Sequence, residues 1–314
     1  MDSQASRTEN VLRAAQLYHL DGHTQAAVAD RLGCTRWTVG RLLAEAQEEG
    51  LLRIEICHPK ARRADLERDL VNVFGLTDAR VVPTQETTAA STALVLTETA
   101  DYLRDLRPTP KIAAFGWGRT MAGVARAMPD SWTEQITAVQ AAAAPAKVAQ
   151  LLGEDAVATL AEKGGGVAYW ADAPTIAPDA ETARTLLARP DVKEALERAA
   201  VADVCVYAPG RAQDCTLMVR CGELSEEELL GVEALGATFN VLGHFVDDDG
   251  NEVSEDLKGR TVGLTLDQIR QIRIRVAVGA GQKKVGPLRS TVASGLATAL
   301  ITDSDAAEAI LAGT

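Results

Sequence analysis

Between a strand and the helix that follows it, free backbone amides can meet a ligand. Gly116, Trp117, Gly118, Arg119 and Thr120 form such a junction, directly after the apolar run 112–115. Glycine lets the chain approach a ligand closely, first-turn amides and the helix dipole favour an anion, and Arg119 and Thr120 add donors. The chemistry is that of a phosphate cradle, against the plainer reading of a glycine turn without a ligand. A second glycine loop, 278–284, ends in Lys283 and Lys284, which would either face the same anion or stand in solvent.

Acid–base pairs are sparse. Of the four histidines, His19, His23, His58 and His244, only the last lies beyond the first sixty residues. His244 with Asp247 is the one pair available for proton transfer, and a satisfied structural histidine is the commoner outcome. Asp21-Gly22 breaks the helix between His19 and His23, so no shared metal site is expected. The acidic run 247–249 lacks the alternating ligands and terminal Glu of a calcium loop and reads as a hairpin turn. The five cysteines form no CxxC pair. No catalytic set, metal site or cofactor is assigned.

A second kind of chemistry lies near the N-terminus. Apolar residues over 10–20 recur at helical spacing and end at Asp21-Gly22. Thr24 then caps a short helix beginning at Gln25, Gly33 supplies a turn, and Thr35 caps a third helix over 36–49. That helix exposes Arg36, Trp37, Thr38 and Arg41 at its start. A short helix, a glycine turn and a longer helix with a basic, aromatic start match a helix-turn-helix. The major groove admits such a helix, whose first residues face base edges while Thr24 and Gln25 donate to a phosphate. The alternative is a three-helix structural or protein-binding module. Residues 51–56 read as a strand, a rudimentary wing.

These sites need two different scaffolds, and the charge divides accordingly. The 314 residues carry a net charge of −12, which excludes a uniformly basic nucleic-acid coat. Residues 1–63 hold nine basic and eight acidic side chains, a net of +1, which leaves −13 on the rest. Any polyanion contact therefore belongs to the first sixty residues. Helix 61–74 has an apolar face suited to self-association or to packing on its own domain. Beyond residue 76, strands at 79–82, 112–115, 136–139, 204–207, 262–264, 274–278 and 300–301 alternate with helices, among them 91–106, 120–128 and 148–160. Such alternation argues a parallel, doubly wound sheet with ligands at strand C-termini. The expected class is α/β: an all-α winged helix-turn-helix domain over 1–57, a linker and oligomerisation helix over 58–75, and a larger sheet domain over 76–314. With no apolar run of about 18 residues and no basic, apolar leader, a cytoplasmic protein without membrane contact is expected.

The whole order resembles the SorC/DeoR-type sugar-responsive transcriptional regulators, whose effector domain is similar to sugar-phosphate isomerases and deaminases. The resemblance rests on 25–29 and 38–43 in the head, then 116–120, 236–245, 262–266, 279–284 and 300–303. It implies that Gly118, Arg119 and Thr120 hold an effector phosphate, that Lys284 faces the effector, and that Lys283 is the adjacent alternative. Two departures stand out. Asn240 occupies the place of an acidic residue that takes sugar hydroxyls, so polyol preference should differ. The polar stretch after the third strand is here Gln140 followed by the alanine run 141–144. Gln140 is thus its one polar candidate, which leaves an unphosphorylated polyol or a less polar ligand open. The implied partners are double-stranded operator DNA, a small sugar, polyol or sugar phosphate, and further copies of the chain as a dimer or tetramer. A rival function is a sugar-phosphate isomerase or deaminase with an accessory DNA module.

Overall fold

The computed structural model of the chain describes residues 2–48, 50–52, 62–153 and 155–313. The chain forms two compact units, Met1–His58 and Pro59–Thr314.

In the first unit, helix α1 (Asp2–Ala15) runs into a π-helical turn, Gln16–Leu20. The helix starts earlier than expected because the turns before Val11 are polar and carry no apolar periodicity. The Thr24 hydroxyl accepts from the Ala27 amide at 3.2 Å and starts α2 (Gln25–Leu32), and Gly33 ends it at φ 62°. The Thr35 hydroxyl accepts from the Thr38 amide at 3.2 Å and starts α3 (Arg36–Glu48). Val11, Ala14, Val28, Val39, Leu43 and Ala46 close a small core. The expected wing is not formed at its start: Leu51 is a bend, and Leu52 donates its amide to the Ala46 carbonyl at 2.9 Å. The rest of that run, 53–56, lies outside the described residues.

The second unit opens with α4 (Ala64–Phe74), β1 (Asp78–Val82) and α5 (Thr88–Asp105). The apolar face of α4 is buried within its own unit, with Leu66 and Leu70 in the core beside β1 and the helix Ser304–Ala312. The chain continues through β2 (Ile112–Phe115), α6 (Arg119–Ala127), β3 (Thr137–Gln140), α7 (Ala146–Leu152), α8 (Ala156–Lys163), β4 (Val167–Tyr169) and β5 (Val204–Tyr207). Three short strands follow: β6 (Gly210–Arg211), β7 (Phe239–Val241) and β8 (His244–Val246). Strands β9 (Ile274–Val278) and β10 (Ala299–Asp303) complete the set.

Seven strands form one parallel sheet in the order β1-β10-β9-β5-β2-β3-β4, and β6-β7-β8 form a separate antiparallel sheet. Both faces of the large sheet are covered. Ala113, Phe115, Val204 and Val206 meet Met121, Val124 and Leu160 on one side; Ala114, Cys205 and Tyr207 meet Val192, Leu266 and Leu288 on the other. This explains why the strands read as continuous apolar runs.

Two sequence expectations need correction. The single helix over 148–160 is broken, because Gly153 at φ 71° ends α7 and the Asp155 carboxylate caps α8 through the Ala158 amide at 3.0 Å. Residues 262–264 make no strand; they lace antiparallel onto the alanine run through Ala143 N to Val262 O and Leu264 N to Ala141 O, both 2.9 Å. A Cβ on Gly263 would lie 3.2 Å from Ala142 Cα, so this close approach needs small residues on both sides.

Candidate functional site: a crevice at the sheet reversal and an exposed helix start

Strand order reverses between β2 and β5. From β2 the chain steps outward to β3 and β4, then returns to β5 on the other side of β2. At such a reversal the crossover helices diverge to opposite faces and leave a crevice at the strand C-termini. The loop 116–118 fills its floor. Gly116 donates its amide to Val206 O at 2.8 Å, and a Cβ there would sit 3.0 Å from Leu242 Cδ2 and 3.3 Å from Tyr207 Cβ. Gly118 adopts φ 115°, ψ 179°, a region open essentially to glycine. It precedes α6 with no side-chain cap, so among the described residues no side chain caps the first-turn amides of that helix.

Two cavities share Gly116 and Trp117 as walls. The smaller, about 140 Å³, also touches Tyr207, Cys215, Met218 and Asn240. Asn240 stands on β7, next to a tight turn in which Leu242 and Gly243 both take positive φ, 51° and 93°. Two such residues make the hairpin connection that joins β7 to β8. The Asn240 side chain is only 9% exposed; its Oδ1 accepts from the Gly243 amide at 3.4 Å, and its Nδ2 is buried without a partner among the described residues. A buried orphan donor in a cavity wall is a ready contact for an acceptor. Lys284 reaches the same region, donating to Pro209 O at 2.5 Å. Burial, with Arg119 nearby, holds its ammonium below the ordinary lysine range, against the pull of Cys215 and Asp214. Burial also pushes the Cys215 thiol up to about 12, so it is an inert wall rather than a nucleophile.

The larger cavity, about 350 Å³, lies toward β3, α7 and α8 and includes Gly118, Gln140, Asp155, Trp170 and Asp172. Gln140 ends β3; its Oε1 accepts from the Ala171 amide at 2.9 Å. The structure thus brings Gly116, Trp117, Gly118, Gln140 and Asn240 into one crevice, with Lys284 at its edge. Arg119 and Lys283 are exposed and Thr120 half-buried, and none of the three lines either cavity.

In the first unit, Trp37 is 72% exposed, with the Arg41 guanidinium 5.1 Å from its ring centre. Arg36 Nε donates to Gln25 Oε1 at 3.4 Å, tying the start of α3 to the start of α2. The Thr35 and Thr38 hydroxyls share a hydrogen bond of 2.9 Å. Thr24, Gln25 and Arg36 border one concavity; Thr38 and Arg41 border another, with Arg7 paired to Glu45 at 2.8 Å beside them.

A family model for a sugar-binding domain, Sugar-bind, matches residues 58–312. The transcriptional regulator LsrR of Escherichia coli O139:H28 is 31% identical over 307 residues, covering 96% of this chain and 94% of its own. The erythritol catabolism regulatory protein EryD of Brucella abortus is 28% identical over 302 residues, covering 96% of this chain and 95% of its own. The chain belongs to the SorC/DeoR-type sugar-binding transcriptional regulators. Among solved structures, the full-length sorbitol operon regulator SorC of Klebsiella pneumoniae shares the fold, with a TM-score of 0.71 over 96% of this chain and 98% of its own at 22% identity.

In this SorC/DeoR-type regulator the one acid–base candidate is engaged elsewhere. His244 is buried, with Nδ1 2.8 Å from Glu252 Oε1 and Nε2 2.8 Å from Leu264 O. Asp247 does not meet it; its Oδ1 accepts from the Asp249 and Asn251 amides at 3.0 and 2.8 Å and builds the turn. Among the described residues no group of three or more His, Cys, Asp or Glu could hold a metal ion, and no helix is long and apolar enough to cross a membrane. Sequence reasoning missed Trp170, Asp155 and Asp172. The Trp170 indole donates to Asp155 Oδ2 at 2.8 Å, and Asp172 Oδ1 accepts from the Ala146 amide at 3.0 Å. Their only sequence signal was the Gly153–Asp155 helix break, hidden inside a continuous apolar pattern.

Proposed function

We propose that this regulator binds double-stranded operator DNA through α2, the Gly33 turn and α3, acting as a helix-turn-helix, and that a sugar, polyol or sugar phosphate seated at the β2/β5 reversal controls that binding. Operators read by such heads are commonly palindromic, so the working form is a dimer or tetramer. Arg36, Trp37, Thr38 and Arg41 face the groove; Thr35 sets the start of α3, and Thr24 and Gln25 meet a phosphate at the start of α2. In the doubly wound body, Asn240, Gln140 and the free amides at Gly118 take ligand oxygens, with Lys284 beside them and Arg119, Thr120 and Lys283 at the rim.

The observation that carries the reading is convergence on one crevice: the α6 start without a side-chain cap and the orphan Nδ2 of Asn240 lie where strand order reverses, with the half-buried Lys284 ammonium beside Gly210 at the rim. Two tests follow. Purified protein should retain DNA from its own upstream region, and no competitor sequence, at physiological salt. A melting-temperature screen of sugars, polyols and their phosphates should yield a ligand that changes this retention; a ligand at a hundredfold its Kd adds about 2.7 kcal/mol of stability. Absence of sequence-specific retention overturns the DNA reading. Turnover of an aldose phosphate or amino-sugar phosphate lost in His244→Ala would replace the regulator with the enzyme.

A further inference from the structure

The two cavities of the crevice differ in chemistry, and the difference bears on what the effector carries. The smaller, about 140 Å³, offers the orphan Asn240 Nδ2 and lies beside the Lys284 ammonium. It has room for a short run of hydroxylated carbons. The larger, about 350 Å³, is walled by Ala144, Val148, Leu152, Val157, Trp117 and Trp170. An engineered apolar cavity of about 150 Å³ takes benzene, so this space holds a substantial ring.

Side-chain charge disfavours an anion in the larger space. Beside Gly118 and Gln140 its lining includes the carboxylates of Asp155 and Asp172 and, among the described residues, no Lys or Arg. A phosphate there would face like charge in a partly dry site. A sugar ring fits less well, because hydroxyls that do not reach Gly118, Gln140, Asp155 or Asp172 would face alanine, valine and leucine, and each unsatisfied hydroxyl costs roughly tenfold in affinity. An apolar ring meets neither penalty. Trp170 is held at the wall by its indole bond to Asp155 at 2.8 Å, and Trp117 lines both this cavity and the smaller one. Rings gain by offset or edge-on contact with such indoles.

We propose that the effector is a sugar or polyol joined to an apolar ring, its hydroxylated part in the smaller cavity at Asn240 and its ring in the larger one at Trp117 and Trp170. The proposal rests on the reading of this crevice as the effector site. Gly116 and Trp117 wall both cavities, so the linkage between the two parts passes that loop.

The test compares matched ligands on the full chain by calorimetric titration and by tryptophan fluorescence. The panel pairs p-nitrophenyl and methyl glycosides of glucose, galactose, mannose, xylose and arabinose, alongside glucose 6-phosphate and the free sugars. At least one p-nitrophenyl glycoside should bind about 30-fold tighter than its methyl partner, the effect of burying a ring of this size. It should also quench tryptophan emission. Ala149→Phe, which fills the larger cavity, and the milder Trp170→Leu should each collapse that ratio, with unliganded melting confirming that the variants fold. Equal affinity within every pair, binding of the phosphate alone, or no binding by any panel member each overturns the proposal. DNA retention is scored separately: a sugar phosphate that releases DNA with no gain from the aryl group would leave the regulator standing and remove this inference.

Discussion

Lys284 donates its ammonium to the Pro209 carbonyl at 2.5 Å, bridging the glycine loop after β9 to the end of β5. The two loops lie far apart in sequence, and the bond places a half-buried cation at the crevice rim. The Lys284 stem also packs on Gly279, where an added Cβ would lie 3.1 Å from Lys284 Cγ. Burial lowers the affinity of this amine for its proton, so the charge is a cost to the empty protein and a gain once a ligand oxygen approaches. Lys284→Met should therefore leave unfolding stability equal or raised while cutting effector affinity by about tenfold or more. Urea unfolding and ligand titration measure the two separately. A variant that is both less stable and unaffected in ligand binding would make Lys284 a structural strut.

Gly118 tests the backbone argument. Its φ of 115° and ψ of 179° suit glycine alone, while an added Cβ would meet nothing within 4 Å. Steric crowding is thus absent and only conformational strain remains, so Gly118→Ala should destabilise by about 1–3 kcal/mol. It should also weaken the effector, since the α6 amides would shift. Unchanged urea unfolding would show that the loop relaxes without cost.

The reading head makes a different kind of prediction. Arg41 lies 5.1 Å from the centre of the exposed Trp37 ring, a cation–π pair at the start of α3. If Arg41 contacts a guanine edge, Arg41→Ala should cost about 1–3 kcal/mol and relax preference at one operator position. Competition binding across single-base operator variants measures this. A uniform loss over all sequences, with a shallower salt dependence, would make Arg41 a phosphate contact instead.

Much of this was legible in the sequence because local chemistry specified it. Thr24, Gly33 and Thr35 mark the head helices by capping and positive φ, and β2 and β5 read as unbroken apolar runs because both sheet faces are covered. The failures share a cause. Gly153 and Asp155 break a helix inside an apolar pattern that runs on across it, so periodicity gave no notice. The 239–246 hairpin turns on Leu242, whose positive φ no propensity announces, and with it the placement of Asn240 was hidden. Val262-Gly263-Leu264 has a strand's composition but pairs only with the alanine run, a tertiary choice. The site was half visible for the same reason: the Gly116–Thr120 loop is local, whereas Trp170, Asp155 and Asp172 reach the cavity by packing across the fold. Arg119, expected beside an anion from the glycine junction and the family resemblance, and Lys283, the adjacent alternative to Lys284, are exposed.

Acid should unlock the start of α4. The Arg63 guanidinium bonds the Asp65 carboxylate at 2.8 and 3.1 Å and, against slight burial, draws its pKa down to about 2. The folded value lies below the unfolded one of about 3.9, so the pair contributes stability that is complete above about pH 4 and disappears as pH falls toward 2. Both side chains are partly exposed, at 39% and 34%, so the contribution is modest and screened by salt. Glu67, buried beside β1 with its Oε1 accepting from the Val81 amide at 2.9 Å, has the opposite sign: burial raises its pKa, so protonation there favours the folded state. Urea unfolding of the wild type and Asp65→Asn at several pH values separates the two groups. The stability difference should be largest near neutrality, shrink between about pH 4 and pH 2, and narrow further in high salt. A difference that holds constant to pH 2 would mean that Asp65 supports α4 through its cap geometry and not through its charge.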